Sequence, residues 1–240
     1  MKQSQAKKRD NAMTNKILMG LIALVLGLLF LEILIVHSKN EQQKNASNQV
    51  QTARIMANGD LLYHDGLYMS ALQADGSYDF TENFTYVKPW LKQADLVLGD
   101  FEGTINPDYP LSGYPLFNAP QSVTAAIKDA GYDVMDLAHN HILDSGLEGA
   151  FTTADAFKKV GIDPVGVYEK PVRDNAPLLI KNVNGIKVAI LSYAYGYNGL
   201  ESNLTDKEVA DHLSNLDEKR MKAEIQRAEK EADITVIMPQ

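Results

Sequence analysis

The strongest constraint on what this chain can fold into is a continuous apolar run from Ile17 to Val36, in which Glu32 is the single charge. Wound as a helix at about 1.5 Å per residue, a run of that length spans the ~30 Å hydrocarbon core of a bilayer. Lys2, Lys7, Lys8, Arg9 and Lys16 precede it and only Lys39 and Lys44 follow closely, so residues 1–16 are expected to stay in the cytoplasm as a basic tail. A cleaved signal peptide has a shorter apolar region and a small-residue cleavage site. Here the run continues straight into Ile35, Val36, His37 and Ser38, and residues 17–36 read as an uncleaved transmembrane anchor. The expectation is a single-pass protein of the cell membrane, N-terminus cytoplasmic, with its domain outside.

Charge is distributed unevenly around that run. Residues 1–40 hold six basic and two acidic side chains, leaving 17 basic and 29 acidic beyond them, a balance of −12. Clustered Lys and Arg are what phosphate contacts need, so nucleic acid is not an expected partner. Metal-mediated binding of an anionic substrate stays open. With no cysteine in the chain, a disulfide framework and thiolate chemistry are excluded.

From Lys39 to Thr52 the sequence is polar, and residues 37–51 read as a stalk between membrane and domain. Residues 52–240 then alternate short β-forming segments with helical patterns, and 45% hydrophobic content is enough to give them a core. Ala53–Ala57, Leu96–Leu98, Val134–Leu137 and Val188–Leu191 are expected strands. Val87–Gln93, Gln121–Asp129 and Leu147–Val160 are expected helices, with Gly131 and Gly161 at C-terminal stops. Asn184-Gly185 signals a tight hairpin, so part of the sheet is antiparallel. A polar helix is expected from about Thr205 to Ala232, followed by an apolar segment, Ile234–Met238.

Three strand ends point to one chemistry. Asn58-Gly59-Asp60 follows the first strand, Gly99-Asp100-Phe101-Glu102-Gly103 the second, and Ala138-His139-Asn140-His141 the third. The carboxyl ends of strands in an open α/β sheet line the ligand crevice, so Asp60, Asp100, Glu102, Asn140 and His141 can meet there. Carboxylates, an amide oxygen and imidazole form a ligand set for Mn, Fe or Zn. Plainer roles compete: Asp144 as cap of the next helix or as support for the site, His64 and Asp65 as the start of a surface helix, His139 turned from the crevice, and Tyr193, Tyr195 and Tyr197 as a packed sheet face.

Taken in order, these blocks resemble the CapA family of capsule and poly-gamma-glutamate synthesis proteins, whose fold is similar to that of calcineurin-like metallophosphoesterases. The resemblance covers about Ala53 to Ser192. It is carried by Ala94-Asp95-Leu96-Val97-Leu98-Gly99-Asp100-Phe101-Glu102-Gly103, by Phe117-Asn118-Ala119-Pro120, and by Gly131-Tyr132-Asp133-Val134 running on to Ala138-His139-Asn140-His141 and Asp144-Ser145-Gly146. The family usually shows Asn-Leu-Glu where this chain has Asp100-Phe101-Glu102, and Asn-Asn-His where it has His139-Asn140-His141.

The resemblance implies an α/β sandwich of mixed sheets flanked by helices. It makes Asp60 the acid of a first phosphoesterase-like motif, although Leu62 stands where a histidine is expected. Asp100 or Glu102 takes the bridging-carboxylate place, Asn140 ligates through its amide oxygen, and His141 is a further ligand or the catalytic, phosphate-facing acid. The implied function is a membrane-anchored part of extracellular polymer assembly, meeting an anionic polymer or its synthesis complex. A metal-dependent hydrolase and a non-catalytic scaffold are the alternatives. In proteins of this type further histidine motifs follow the strand matching Ile234–Met238, so the fold and the metal shells are expected to be incomplete at the C-terminus.

Overall fold

The computed structural model describes residues 19, 27–39, 50–172 and 175–240. The chain divides into two units, Met1–Val50 and Gln51–Gln240. In the first, residues 27–39 are helical, while the basic tail and most of the remaining predicted span lie outside the described residues. Among the described residues no helix is long and apolar enough to cross a membrane.

The second unit holds β1 (Ile55–Asp60), α1 (Asp65–Ser70), α2 (Lys88–Leu91), β2 (Leu96–Asp100), α3 (Val123–Ala130), β3 (Val134–Asp136), α4 (Gly146–Lys159) and β4 (Asp163–Val165). There follow β5 (Leu179–Val183), β6 (Ile186–Tyr193), α5 (Asp206–His212), α6 (Glu218–Glu231) and β7 (Ile234–Pro239). The first four strands form one sheet in the order β1-β2-β3-β4, every pair parallel. The last three form a second sheet, β5-β6 antiparallel across the Asn184-Gly185 turn and β6-β7 parallel.

The two-residue period of a strand explains how the layers stack. Leu96 and Leu98 on β2, with Val134 and Val165, face Val183, Val188 and Ile190 of the second sheet. Val97, Met135 and Leu137 turn the other way, into a cluster with Val123, Ile127 and Ala130 of α3 and Ala150, Ala154 and Phe157 of α4. On the far side of the second sheet, Ala189, Leu191 and Tyr193 pack on Ala228, with Met221 and Ile225 of α6 against them. The result is a helix-sheet-sheet-helix sandwich, in which each fully buried aliphatic side chain contributes about 1.5–3 kcal/mol.

Local chemistry sets the boundaries. The buried residues Val123, Ala126, Ile127 and Ala130 give α3 one apolar stripe, and Gly131 ends it at φ 119°. A side chain at Gly99 would collide with the Tyr132 ring, 2.8 Å from the place of a Cβ, so only glycine lets that ring lie against β2.

Several expectations change. The polar helix is two helices, α5 and α6, because Leu213–Asp217 runs extended: Ser214 donates to Gly166 O at 3.1 Å and receives Ala194 N–H at 2.8 Å. Thr205 caps α5 with a full capping box and Asp217 caps α6, so each helix has its own start signal. The first strand reaches Asp60 rather than stopping at Ala57, and β4 had no expectation behind it. Tyr193 and Tyr197 are buried, but Tyr195 is 89% exposed, so the three do not form one packed face.

Candidate functional site

Strand register alone aligns three acids. Asp60 pairs with Asp100 across β1 and β2, and Asp100 with Asp136 across β2 and β3. Neighbouring strands lie ~4.8 Å apart, so carboxylates in one row cannot all ionise cheaply. Burial pushes Asp100 up to about 8, and the nearby charges of Asp136 and Asp60 push the same way. Burial also raises Asp136, to about 7, against the pull of the Ser192 hydroxyl and the Ala138 N–H, both of which donate to it.

Glu102 lies just past β2. Burial first, then a hydrogen bond with Asp60 and the charges of Asp60, Asp100 and Asp144, raise it to about 7. On its other side His141 brings Nε2 to 3.8 Å from Glu102 Oε1. The imidazole is fixed from behind: Nδ1 lies 2.8 Å from Asp144 Oδ2, which also accepts the Phe117 N–H at 2.6 Å. The Phe117 ring meets His141 edge-on at 4.8 Å between centroids. The same ring touches His64 at 5.7 Å, so Phe117 stands between the two imidazoles' contacts.

The structure thus links Asp60, Glu102 and His141 in one contact chain, with Asp100 next to it. Asn140 is turned differently, its Nδ2 donating to Asn198 Oδ1 at 3.2 Å while its Oδ1 accepts from Gln240 Nε2 at 3.4 Å. Asp144 does not cap α4, being committed to His141 and Phe117; Ser145 holds the N-cap position without a capping bond, its hydroxyl donating to Thr104 Oγ1 at 2.8 Å. His139 is buried, its pKa pushed down to about 3 by that burial, and its Nδ1 accepts the His141 N–H at 3.2 Å. His64 and Asp65 open α1 as expected, without a side-chain cap.

Three contributors escaped the sequence reading. Asp136 closes β3 as Asp100 closes β2, a parallel visible in the sequence only once the strand ends are known. Ser192 comes from β6 in the other sheet, and nothing local marks it. Asn198, in a left-handed turn at φ 55°, approaches both His141 nitrogens at 3.5 Å, and Asn198-Gly199 is a turn dipeptide that would have flagged the loop.

Hard oxygen donors with one imidazole suit Mn, Fe or Zn, and Asp100 Oδ1 is buried with no hydrogen-bond partner among the described residues, as an acid short of a cation would be. Among the described residues, however, no three His, Cys, Asp or Glu side chains are grouped to hold a metal ion as they stand. Glu102 and Asp60 bond to each other, and Asn140 to its amide neighbours. The donor chemistry fits a divalent ion.

The family described as bacterial capsule synthesis protein PGA_cap matches residues 54–240. The capsule biosynthesis protein CapA of Bacillus anthracis is 35% identical over 115 residues, 46% of this chain and 28% of that protein. The PGA biosynthesis protein CapA of Bacillus subtilis (strain 168) is 25% identical over 189 residues, 78% of this chain and 48% of that protein. The chain therefore spans about half or less of the length of these relatives. A solved putative 5'-nucleotidase from Staphylococcus aureus, in complex with alpha-ketoglutarate, aligns with a TM-score of 0.50 at 14% identity, over 78% of this chain and 37% of that one. At such identity the likeness speaks for the α/β fold alone.

Proposed function

The chain belongs to the bacterial capsule synthesis family, and from that premise we propose that it is a membrane-anchored component of extracellular polymer assembly that acts on an anionic polymer of the poly-gamma-glutamate type. The observation that carries the reading is the contact chain Asp60–Glu102–His141, set at the strand ends and backed by Asp144. An acidic cluster repels an acidic polymer, so the two need a cation between them. A divalent ion held by Asp60, Glu102 and His141, with Asp100 beside them and with Asn140 once its amide turns from Asn198 and Gln240, would supply that charge and polarise a bound anionic group. This chain's own part is to hold His141 by Asp144 and Phe117 and to keep protons on Asp100 and Glu102 until the ion arrives. The apolar run at residues 17–36 supports the anchor, with the domain outside the cell.

A second reading, a metal-dependent phosphoesterase-like or polymer-modifying hydrolase, draws on one feature. Glu102, raised to about 7 beside His141, is an acid poised for proton transfer near neutral pH. Complementation tests the main reading. In a strain lacking this chain, the full chain should restore surface polymer, measured as glutamate released by acid hydrolysis. A variant carrying Asp60→Asn and His141→Ala should restore none at equal abundance in the membrane fraction. Equal restoration by that variant would remove the cluster from the function, and turnover of a phosphoester or of polymer by the purified chain would favour the hydrolase.

A further inference from the structure

The end of the domain opposite the acids carries a feature that the proposed site does not use. Tyr86 and Trp90 are 89% and 65% exposed, Val87 is exposed beside them, and Trp90 is the only tryptophan in the chain. Large aromatics so placed on one short segment, Tyr86-Val87-Lys88-Pro89-Trp90-Leu91-Lys92, form an apolar edge with lysines between them. Helix α2 and the turn after it lie where the chain enters the domain: Arg54 Nη1 donates to Gln93 O at 3.3 Å, Gln93 N–H to Trp90 O at 2.9 Å, and Arg54 N–H to Asp95 Oδ2 at 2.8 Å.

The edge is slightly basic. It brings together Arg54, Lys88, Lys92 and Lys128 with Asp95, Asp129 and Asp133, a balance of +1, in which Lys88 is paired with Asp129, Lys128 Nζ lies 4.0 Å from Asp133, the Arg54 backbone donates to Asp95, and Lys92 has no acid paired with it among the described residues. Residues 41–240 as a whole stand at −12, but the rest of that charge is screened beyond about 8 Å in physiological salt. Two further exposed aromatics, Tyr109 and Tyr114, belong with Leu116 to a loop without lysine or arginine, and that loop lines a cavity with Asp144 at the acidic end.

We infer that the Tyr86–Lys92 edge docks on the surface of an anionic lipid bilayer, with Trp90 and Tyr86 at headgroup level and Lys92 toward the lipid phosphates. Trp and Tyr favour that interface because each ring has an apolar body and a polar tip, and each nearby lysine adds attraction to an anionic leaflet. Docking this way points the carboxyl ends of β1, β2 and β3, and the acids on them, away from the lipid and toward polymer outside the cell. The inference rests on the proposed membrane anchor. A tether of about 15 residues would keep the edge at high local concentration near lipid, so a weak contact suffices.

Trp90 is its own reporter. Full-length chain is reconstituted in phosphatidylcholine–phosphatidylglycerol vesicles, with and without bromine on the acyl chains, and Trp90 emission is read after flotation and again after an alkaline carbonate wash. The expected result is a blue-shifted emission quenched by brominated lipid, with quenching reduced in Lys92→Glu while flotation is unchanged. Chain that floats and resists carbonate but shows no quenching overturns the docking and leaves the anchor intact. Chain that is quenched but stripped by carbonate overturns the anchor and leaves the docking. Chain that neither floats nor is quenched overturns both.

Discussion

Two of the buried clusters that hold charged side chains among the described residues are built in opposite ways. Between β6 and α6, Glu224 receives Arg220 Nε at 2.9 Å and the Tyr193 hydroxyl at 2.7 Å, while Arg220 Nη1 donates to Leu213 O at 2.9 Å and its guanidinium lies 5.9 Å from the Tyr168 ring centroid. One charge of each sign meets there. At the ends of β2 and β3, Asp100, Glu102 and Asp136 gather with no lysine or arginine bonded to them among the described residues, and burial raises all three. Buried charge that is paired holds a structure together, whereas buried charge of one sign is a standing cost that persists at sites kept for a ligand.

The largest effect that would sharpen this contrast comes from opening the closed cluster. Arg220→Met leaves Glu224 buried and unpaired, and should lower unfolding free energy by about 3–5 kcal/mol in denaturant titration at pH 7. A loss within experimental error would show that the pair is not structural. The open cluster should respond with the other sign. Folded Asp100 is held at about 8, well above the usual carboxylate range, so the folded state binds more protons than the unfolded state between about pH 4 and 8. Its stabilising contribution is therefore full below pH 4 and is lost as pH rises through 8. Asp100→Asn should gain on the order of a few kcal/mol at pH 8 and flatten the fall of stability with pH. A destabilised variant with an unchanged slope would break the contrast.

The smallest expected effect lies behind the histidine. Asp144→Asn keeps the shape but removes the charge that orients His141, and should weaken Mn2+ binding about 10- to 100-fold while thermal unfolding barely moves. If unfolding drops and binding does not, Asp144 serves the Phe117 loop and not the site.

How much of this was legible in the sequence follows the range of the physics involved. Leu96–Leu98, Val134 and Val188–Leu191 announced buried strands, and Asn184-Gly185 announced the hairpin, because both signals are local. That Asp60, Asp100, Glu102 and His141 lie close together was expected from the rule that strand ends line a crevice. Asp136 and Ser192 were not, because their meeting depends on the packing of the first sheet against the second. The break between α5 and α6 had a local signal that the expected single helix passed over: Ser214, Asn215 and Asp217 disfavour a helix interior and Asp217 caps α6, while pairing with Gly166 and Ala194 sets the extended course of the segment. The resemblance placed Asn140 among ligands, while its observed bonds run to Asn198 and Gln240, a choice of rotamer that no sequence pattern encodes.

The central claim is that the acids at the strand ends hold protons in place of a cation. Calorimetric titration of Mn2+ into the full-length chain, repeated near pH 7 in buffers of different ionisation enthalpy, reads affinity and released protons together. The account predicts saturable binding that releases protons, tightens as pH rises toward 8, and is lost in the Glu102→Gln/His141→Ala variant. Binding without proton release, or the same binding in that variant, would contradict it.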